Sequence, residues 1–518
     1  MSRYLRAHGV FKKNVVAFNN LLFGFSIALA PVNLFWCFVG TFLGTVVGVL
    51  PGIGPAGTVA ILLPLTFHMQ PTTALIMLLG IYYGAKYGGS TTSILLNIPG
   101  ESSSVVTCLD GYQMARKGRA GPALGISAIA SFIAGTFGVV GLMVAAPPLA
   151  EFALRFAPPE YFALMFLGMS MVAYLTGESV LKSLLSASIG VWLGIIGTDL
   201  FSAQSRFTFG RPELLDGLDF IVVSIGLFSI AEVLINLESN VKPDLFPVPK
   251  GIKNLLPNMQ DLKDCRFAFV NGSLVGFFVG MLPGAGATIA SFISYGIEKA
   301  FSRHPEKFGT GVIEGVAAPE GANNSDAGGA LVPLLTLGIP GSNVGAILLA
   351  ALFLWGLRPG PLLIQEHPEI FWGVVASMYV GNLMLLILNL PLVPLFAQFL
   401  RVPYYLLYPV IFGISIVGVY SVNQSLFDVS LMGVFGIIGY FMRKLDFPVA
   451  PLVLGMVLGT PLERALRQSL LMSQGSLTIF VNRPISAVLL LFSIVVLLIP
   501  ILQAFRSAKS LQREANLA

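Results

Sequence analysis

The sequence predicts an all-α integral membrane protein of roughly ten to twelve transmembrane segments, with broken helices, re-entrant elements and two inverted-topology repeats. Three observations predict it. The chain carries too little charge to cover a water-facing surface. Its apolar runs are long and continuous. A pair of Pro-Gly signatures recurs in the same order in both halves.

Only 11% of the 518 residues are charged and 55% are hydrophobic, and the mean hydropathy is +0.83. A soluble domain carries about 25% charged residues. No Asp, Glu, Lys or Arg occurs between Lys13 and Lys86, or in 121–150, 267–297, 327–357, 371–400 and 402–427. A spanning helix needs about 20 apolar residues, so several of these runs hold more than one segment. They do not alternate, which argues for helices rather than a barrel.

The net charge of +5 is a topology signal and not a nucleic-acid one, because the basic residues fall in short loops. Arg3, Arg6, Lys12 and Lys13 at one end, and Arg506, Lys509 and Arg513 at the other, place both termini in the cytoplasm. The N-terminal segment reads as a retained helix, since it has no small-residue cleavage site. Cys37, Cys108 and Cys265 are too far apart for a metal or redox pair and read as small apolar filler.

The repeat is visible by eye. VGVLPGIGPAGTVA (Val47 to Ala60) pairs with VGMLPGAGATIASF (Val279 to Phe292), and GGSTTSILLNIPGESS (Gly88 to Ser103) with GGALVPLLTLGIPGSN (Gly328 to Asn343). Each half runs from a PGxG break to a Gly-Gly polar turn and then to IPG. Loop charges set the orientation. TFHMQP has no Lys or Arg, whereas its counterpart GIEKAFSRHPEKFG carries Lys299, Arg303 and Lys307. After IPG the bias reverses, with Arg116, Lys117 and Arg119 in the first half and Arg358 beside Glu366 and Glu369 in the second. Equivalent loops on opposite sides mean an inverted repeat, with a binding site at mid-membrane. The chain then divides into a first repeat half (1–235), a polar cytoplasmic linker (236–266), the core of the second half (267–400), and C-terminal transmembrane helices with a cytoplasmic tail (401–518).

Broken backbone at membrane depth persists only inside protein or beside a wet cavity. There a helix start offers amides to an anion, and glycine lets the ligand approach. Gly52, Gly54, Gly284 and Gly286 are the expected amide donors. Ser90, Thr91, Thr92, Asn97, Gly100, Asn324, Ser325, Gly341, Ser342 and Asn343 complete the expected substrate site. Hydroxyls and carbonyls around Asp326 also suit a small hard cation. Asp326 is therefore the candidate for a coupling ion, with turn capping as its other reading. Lys86, in YGAKYGG, is either a countercharge for the substrate or a residue snorkelling to an interface. Glu320 reads as a loop residue, Asp199, Glu232 and Asp428 as helix ends, and RKGR as a topology signal.

No HExxH, GxSxG or Walker A spacing occurs, and the four histidines are too dispersed for a helical zinc pair. The chain is not expected to be an enzyme, nor to carry a cofactor or resident metal. Without an ATP-binding segment, pumping draws on an ion gradient or a partner. A passive channel for small organic anions is the alternative, and an enzyme acting on lipid-linked substrates is the weaker third reading.

These same stretches carry a resemblance. GVLPGIGP, YYGAKYGGSTTSILLNIPGESSSVVTCLDGYQMARKGRAGPALG, GMLPGAGATIASFISYGIEKAFSRHPEKFGTGVIEGVAAPEGANNSDAGG and LGIPGSNVGAILLAALFLWGLRPGP resemble the large membrane subunit of the bacterial tripartite tricarboxylate transporter family, over about residues 20 to 500. The resemblance implies a multi-pass secondary transporter of the bacterial inner membrane. It implies two partners, a small membrane subunit and a periplasmic solute-binding protein. It also implies uptake of citrate or a related di- or tricarboxylate by symport with Na+ or H+. An elevator-like or rocking motion follows only by analogy with other inverted-repeat importers.

Overall fold

The computed structural model describes residues 19–50, 54–175, 179–199, 201–238, 251–284, 286–399 and 404–498. In chain order its principal elements are helices α1 (Pro31–Val49), α2 (Pro55–Leu62), α3 (Pro71–Leu96), α4 (Ala120–Ala153), α5 (Pro158–Leu175) and α6 (Val180–Gly194). A two-residue hairpin of β1 (Gly197–Thr198) and β2 (Ser205–Arg206) follows. Then come α7 (Phe220–Glu238), α8 (Arg266–Gly280), α9 (Gly286–Phe301), α10 (Glu314–Leu337), α11 (Asn343–Leu354), α12 (Pro368–Asn389), α13 (Tyr404–Asn423), α14 (Leu426–Lys444) and α15 (Val449–Met472). Among the described residues, six helices are long and apolar enough to cross a membrane: α1, α4, α7, α12, α14 and α15. The protein is thus a predominantly helical multi-pass membrane protein. Among the described residues, the one departure from helix and loop is the small antiparallel hairpin.

Contacts divide the chain into two units. The first comprises Met1–Ala153, Ile221–Leu282 and Gly286–Tyr440. Its helices begin where proline allows: Pro31, Pro55, Pro71 and Pro368 each stand at a first or second helical position, where the missing N–H costs nothing. The helix of the PGxG region ends at Val49 and restarts at Pro55. In the second half α8 ends at Gly280 and α9 starts at Gly286.

The Gly-Gly pairs require a correction. They are not turns: Gly88 and Gly89 lie inside α3, and Gly328 and Gly329 inside α10. Their role is close packing. Gly40, Gly44 and Gly48 of α1 face the backbone of Met77, Ile81 and Ala85, while Gly80, Gly84 and Gly88 of α3 face α1 in return. Residue numbers rise together, so α1 and α3 run parallel. Gly272, Gly276 and Gly280 of α8 face Ala318, Ala322 and Asp326 of α10 in the same way. Each interior glycine costs about 1 kcal/mol of helix propensity. Backbone contact along a small-residue seam offsets that cost where lipid supplies no hydrophobic drive.

Both halves then end their long helix alike. Asn97 caps α3 at φ 57°, ψ 28°, and Gly338 caps α10 at φ 69°, ψ 28°. Past IPG, Glu101 (φ −143°, ψ 166°) and Ser342 (φ −149°, ψ 169°) open the next helical turn. The chain doubles back there, so that Gly100 packs on Gly48 and Gly89, and Gly341 on Gly280 and Ala330. Each equivalent pair after the breaks is separated by the same interval (97 to 338, 100 to 341, 101 to 342).

The second unit comprises Leu154–Phe220, Pro283–Ala285 and Phe441–Ala518. Gly190 and Gly194 of α6 pack on Leu452 and Met456 of α15. Beside them, Arg206 pairs with Glu463 at 2.8 Å and Arg467 with Asp199 at 2.9 Å. Arg483 pairs with Glu160 at 2.5 Å. The Asp199 carboxyl is held down at about 2, chiefly by the Phe201 backbone N–H, against a smaller effect of burial.

Of the segment expected to be a linker, residues 239–250 lie outside the described residues, and 251–266 contains two short helices, Ile252–Leu255 and Met259–Asp264.

Candidate functional site

α3 and α10 cross at their middles inside the first unit. The contacts give the direction: Lys86 meets Asp326 and Asn323, while four residues later Ser90 meets Glu320. Numbers rise on one helix as they fall on the other, so the two run in opposite directions. A helix with 3.6 residues per turn places Tyr82, Lys86 and Ser90 on one face. This face meets Glu320, Asn323 and Asp326.

Lys86 is fully buried, as is Asp326. Its ammonium donates to the Asn323 carbonyl oxygen at 2.6 Å and to Asp326 Oδ2 at 3.0 Å. It also lies 4.7 Å from the centroid of the Tyr82 ring. The snorkelling reading of Lys86 is therefore corrected: an ion pair holds the ammonium in the interior. Asp326 lies mid-helix, not in a turn, which removes the capping alternative.

Two contacts link this crossing to the IPG segments. The Tyr82 hydroxyl lies 3.5 Å from both Asp326 Oδ2 and Ser342 Oγ. The Asn323 side-chain amide donates to Glu101 Oε1 at 2.9 Å. These contacts are equivalents of one another, since Tyr82 and Asn323 stand at the same interval as Glu101 and Ser342.

Glu320 also needs correction. It is a buried residue of α10, not a loop residue, and it accepts hydrogen bonds from the hydroxyls of Ser90 and Thr107. The crossing therefore holds one ion pair, Lys86 with Asp326, and beside it two further acids: Glu320, bonded to Ser90 and Thr107, and Glu101, bonded to Asn323. On this stretch of α10, Asn323 Oδ1, Asn324 Oδ1 and Asp326 Oδ1 are buried with no hydrogen-bond partner among the described residues. A buried acceptor without a donor costs about 1–3 kcal/mol. One carboxylate oxygen and nearby amide oxygens without donors suit a hard cation. Among the described residues, no group of three or more His, Cys, Asp or Glu is placed to hold a metal.

The remaining expected residues fall into distinct places. Ser342 is the N-cap of α11 and accepts from Gly345 N at 3.1 Å; Asn343, next to it, is exposed. Gly100 and Gly341 are buried at the doubling-back points. Thr92 Oγ1 donates to the Val49 carbonyl at 2.6 Å, and Ser325 Oγ to the Ser273 carbonyl at 2.7 Å, so both tie helix seams. Asn324 Nδ2 donates to Ser131 Oγ at 2.7 Å. Thr91 is buried in α3, and Asn97 is exposed at its end. A Cβ at Gly54 or Gly286 would meet nothing within 4 Å. Gly284 groups with the second unit, where it packs on Val172. Gly52 lies outside the described residues.

Sequence reasoning missed Tyr82 and the roles of Glu101 and Glu320. The signal for Tyr82 was its spacing of four from Lys86, which is informative only once 71–96 is read as one helix.

A family model of the tripartite tricarboxylate transporter TctA family matches residues 34–454, the span that holds both halves and their crossing. The chain belongs to that family. TctA proteins are transporter components and not enzymes. An uncharacterized 52.8 kDa protein from the TAR-I ttuC′ 3′ region of Agrobacterium vitis is 49% identical over 491 residues, covering 95% of this chain and 97% of that protein. A second uncharacterized protein, from the TAR-II ttuC′ 3′ region of the same organism, is 46% identical over 234 residues, 45% of this chain and 97% of that one. No solved structure matches. For this TctA chain, the crossing of α3 and α10 is the strongest candidate site.

Proposed function

We propose that this chain is the large membrane subunit of a binding-protein-dependent secondary transporter, importing di- or tricarboxylates of the citrate type by symport with Na+ or H+. It works with a small membrane subunit and a periplasmic solute-binding protein, in the bacterial inner membrane, with both termini in the cytoplasm. The single observation that carries this reading is the opposed crossing of α3 and α10. It brings buried charge and unpartnered oxygens beside the Ser342 cap. Opposed equivalents around one crossing support an inverted-topology repeat with its site at mid-membrane.

In this reading the coupling ion sits at Asp326. The substrate carboxylates meet hydroxyls and helix-start amides from the IPG segments: Ser90, Thr91, Gly100, Gly341, Ser342 and Asn343. Gly54 and Gly286, at the helix restarts of the same unit, supply further amides. Lys86 supplies positive charge, and Thr92, Asn97, Asn324 and Ser325 shape the surroundings.

The test is uptake of radiolabelled citrate and related carboxylates into proteoliposomes holding this chain and its small subunit, with the binding protein outside. An imposed inward sodium or proton gradient should drive accumulation above the external concentration. Equilibration that ignores both gradients would instead favour a passive anion channel.

A further inference from the structure

We infer that the Lys86–Asp326 ion pair is a built-in stand-in for cargo: in the empty site each side chain fills the place that a cargo ion takes on loading. The coupling cation displaces the ammonium from Asp326, and the freed Lys86 ammonium pairs with a carboxylate of the substrate. This inference rests on the symport reading above and adds how the two cargoes become obligatory partners.

Crossing α3 and α10 does not need this pair. The interval that relates Tyr82 to Asn323 and Glu101 to Ser342 also relates Lys86 to Ala327 and Asp326 to Ala85. At the equivalent place on each helix the fold is built with alanine. The contacts from the crossing to the IPG segments obey the repeat, whereas the ion pair breaks it. Crossing two such helices therefore does not require a charge here. Nor does burial favour one, since apolar residues of similar volume often replace a buried pair without loss of stability.

The local geometry shows where an incoming cation would be held. Asp326 uses only Oδ2 for Lys86; Oδ1 is buried and has no partner among the described residues. Asn323 is one helical turn away, and its Oδ1 is in the same condition. Its amide nitrogen is fixed by Glu101, which leaves the oxygen side of the amide as an acceptor. The backbone carbonyl of Asn323 is a further oxygen, now taken by Lys86. A cation that replaces the ammonium thus inherits its two oxygens and meets acceptors that are unsatisfied in the pair. On the other side, the Tyr82 hydroxyl touches both Asp326 and Ser342. An ammonium leaving Asp326 along this line moves toward the α11 cap, where the symport reading places the substrate carboxylate.

Coupling then follows from charge pairing. Cation alone leaves a buried ammonium without an anion. Substrate alone leaves Asp326 without a cation. With both bound, Lys86 and Asp326 each keep a partner of opposite charge, so each cargo raises the affinity for the other. The expected mutual enhancement is about 5- to 150-fold, the usual range for coupled sites.

The experiment measures 22Na+ and radiolabelled citrate binding to the purified full-length chain, with each ligand titrated in the presence and absence of the other. In the parent, citrate should tighten sodium binding by about 5- to 150-fold. Lys86→Met should bind sodium without citrate about as tightly as the parent does with it. Asp326→Asn should bind citrate with no response to sodium. The pair Lys86→Ala with Asp326→Ala, which copies the alanines at equivalent positions, should fold and show no coupling. It keeps the idea falsifiable if a single variant fails to fold. A Lys86→Met protein that binds sodium no better than the citrate-free parent, or an Asp326→Asn protein with undiminished sodium dependence, would overturn the exchange. Gradient-driven citrate uptake by the parent alongside either result leaves the symport reading intact. Parent uptake that ignores cation gradients removes the symport reading itself.

Discussion

Neutralising one member of the Lys86–Asp326 pair should destabilise the protein far more than neutralising both. Both side chains are fully buried, with Nζ to Oδ2 at 3.0 Å. In Lys86→Met the Asp326 carboxylate loses its counter-ion and the Asn323 carbonyl loses its donor. In Asp326→Asn the ammonium is left without its carboxylate. Breaking a buried pair from one side costs about 3–5 kcal/mol, whereas replacing both members by neutral groups of similar volume is close to neutral. Met matches the length of the Lys stem, and Asn matches the shape of Asp. Each single variant should therefore lose about 3–5 kcal/mol and the double variant less than about 2 kcal/mol. The assay is detergent-induced unfolding in mixed micelles, followed by tryptophan fluorescence, for all four members of the cycle. A double variant as unstable as the two singles combined would refute the reasoning, because the two residues would then act independently.

Gly84→Ala should cost about 1–3 kcal/mol, since its Cβ would sit 2.6 Å from the Thr41 carbonyl oxygen and 2.7 Å from the Thr45 nitrogen; the same unfolding assay reads it, and an unchanged midpoint would remove the α1–α3 seam from the account. Cysteines placed at the exposed His68 and Arg303 should react with impermeant maleimide from opposite faces of the membrane, and labelling from one face would refute the inverted repeat. Asp199 titrates below its ordinary value, so its contribution to stability is present above about 3.9 and is lost as the pH falls toward about 2. Acid-unfolding curves of the parent and Asp199→Asn should therefore differ by a constant amount above that window and converge within it. Convergence already at neutral pH would show that the Phe201 and Arg467 contacts do not hold the carboxylate.

Much of the fold was legible because its signals are local. Missing charge over 72 consecutive positions, Asn14 to Ala85, states the membrane class. Pro55 at the start of α2, and Pro283 after α8, mark ends of helices. The IPG repeat was legible as a pattern, but its helix-ending role was not: only the structure shows Asn97 and Gly338 taking left-handed backbone just before it. The site was less legible, for two physical reasons. Glycine pairs have two uses, turning a chain and allowing close packing, and only the neighbour decides between them; Gly88, Gly328 and Gly329 lie against neighbouring helices, and Gly89 against Glu101 and Ser104. A helix buried on every side shows no polar stripe, so Glu320 and Asp326 had no periodic pattern to place them on a helix. The Lys86–Asp326 contact joins residues 240 positions apart, and nothing local to either residue names the other.

In the proposed function a cation gradient drives carboxylate uptake through the crossing of α3 and α10. It is tested by citrate accumulation in proteoliposomes containing this chain and the proposed small membrane subunit, with the binding protein supplied outside and a sodium or proton gradient imposed. The parent should accumulate citrate above the external concentration, and Asp326→Asn should not. Accumulation by Asp326→Asn equal to that of the parent would contradict it.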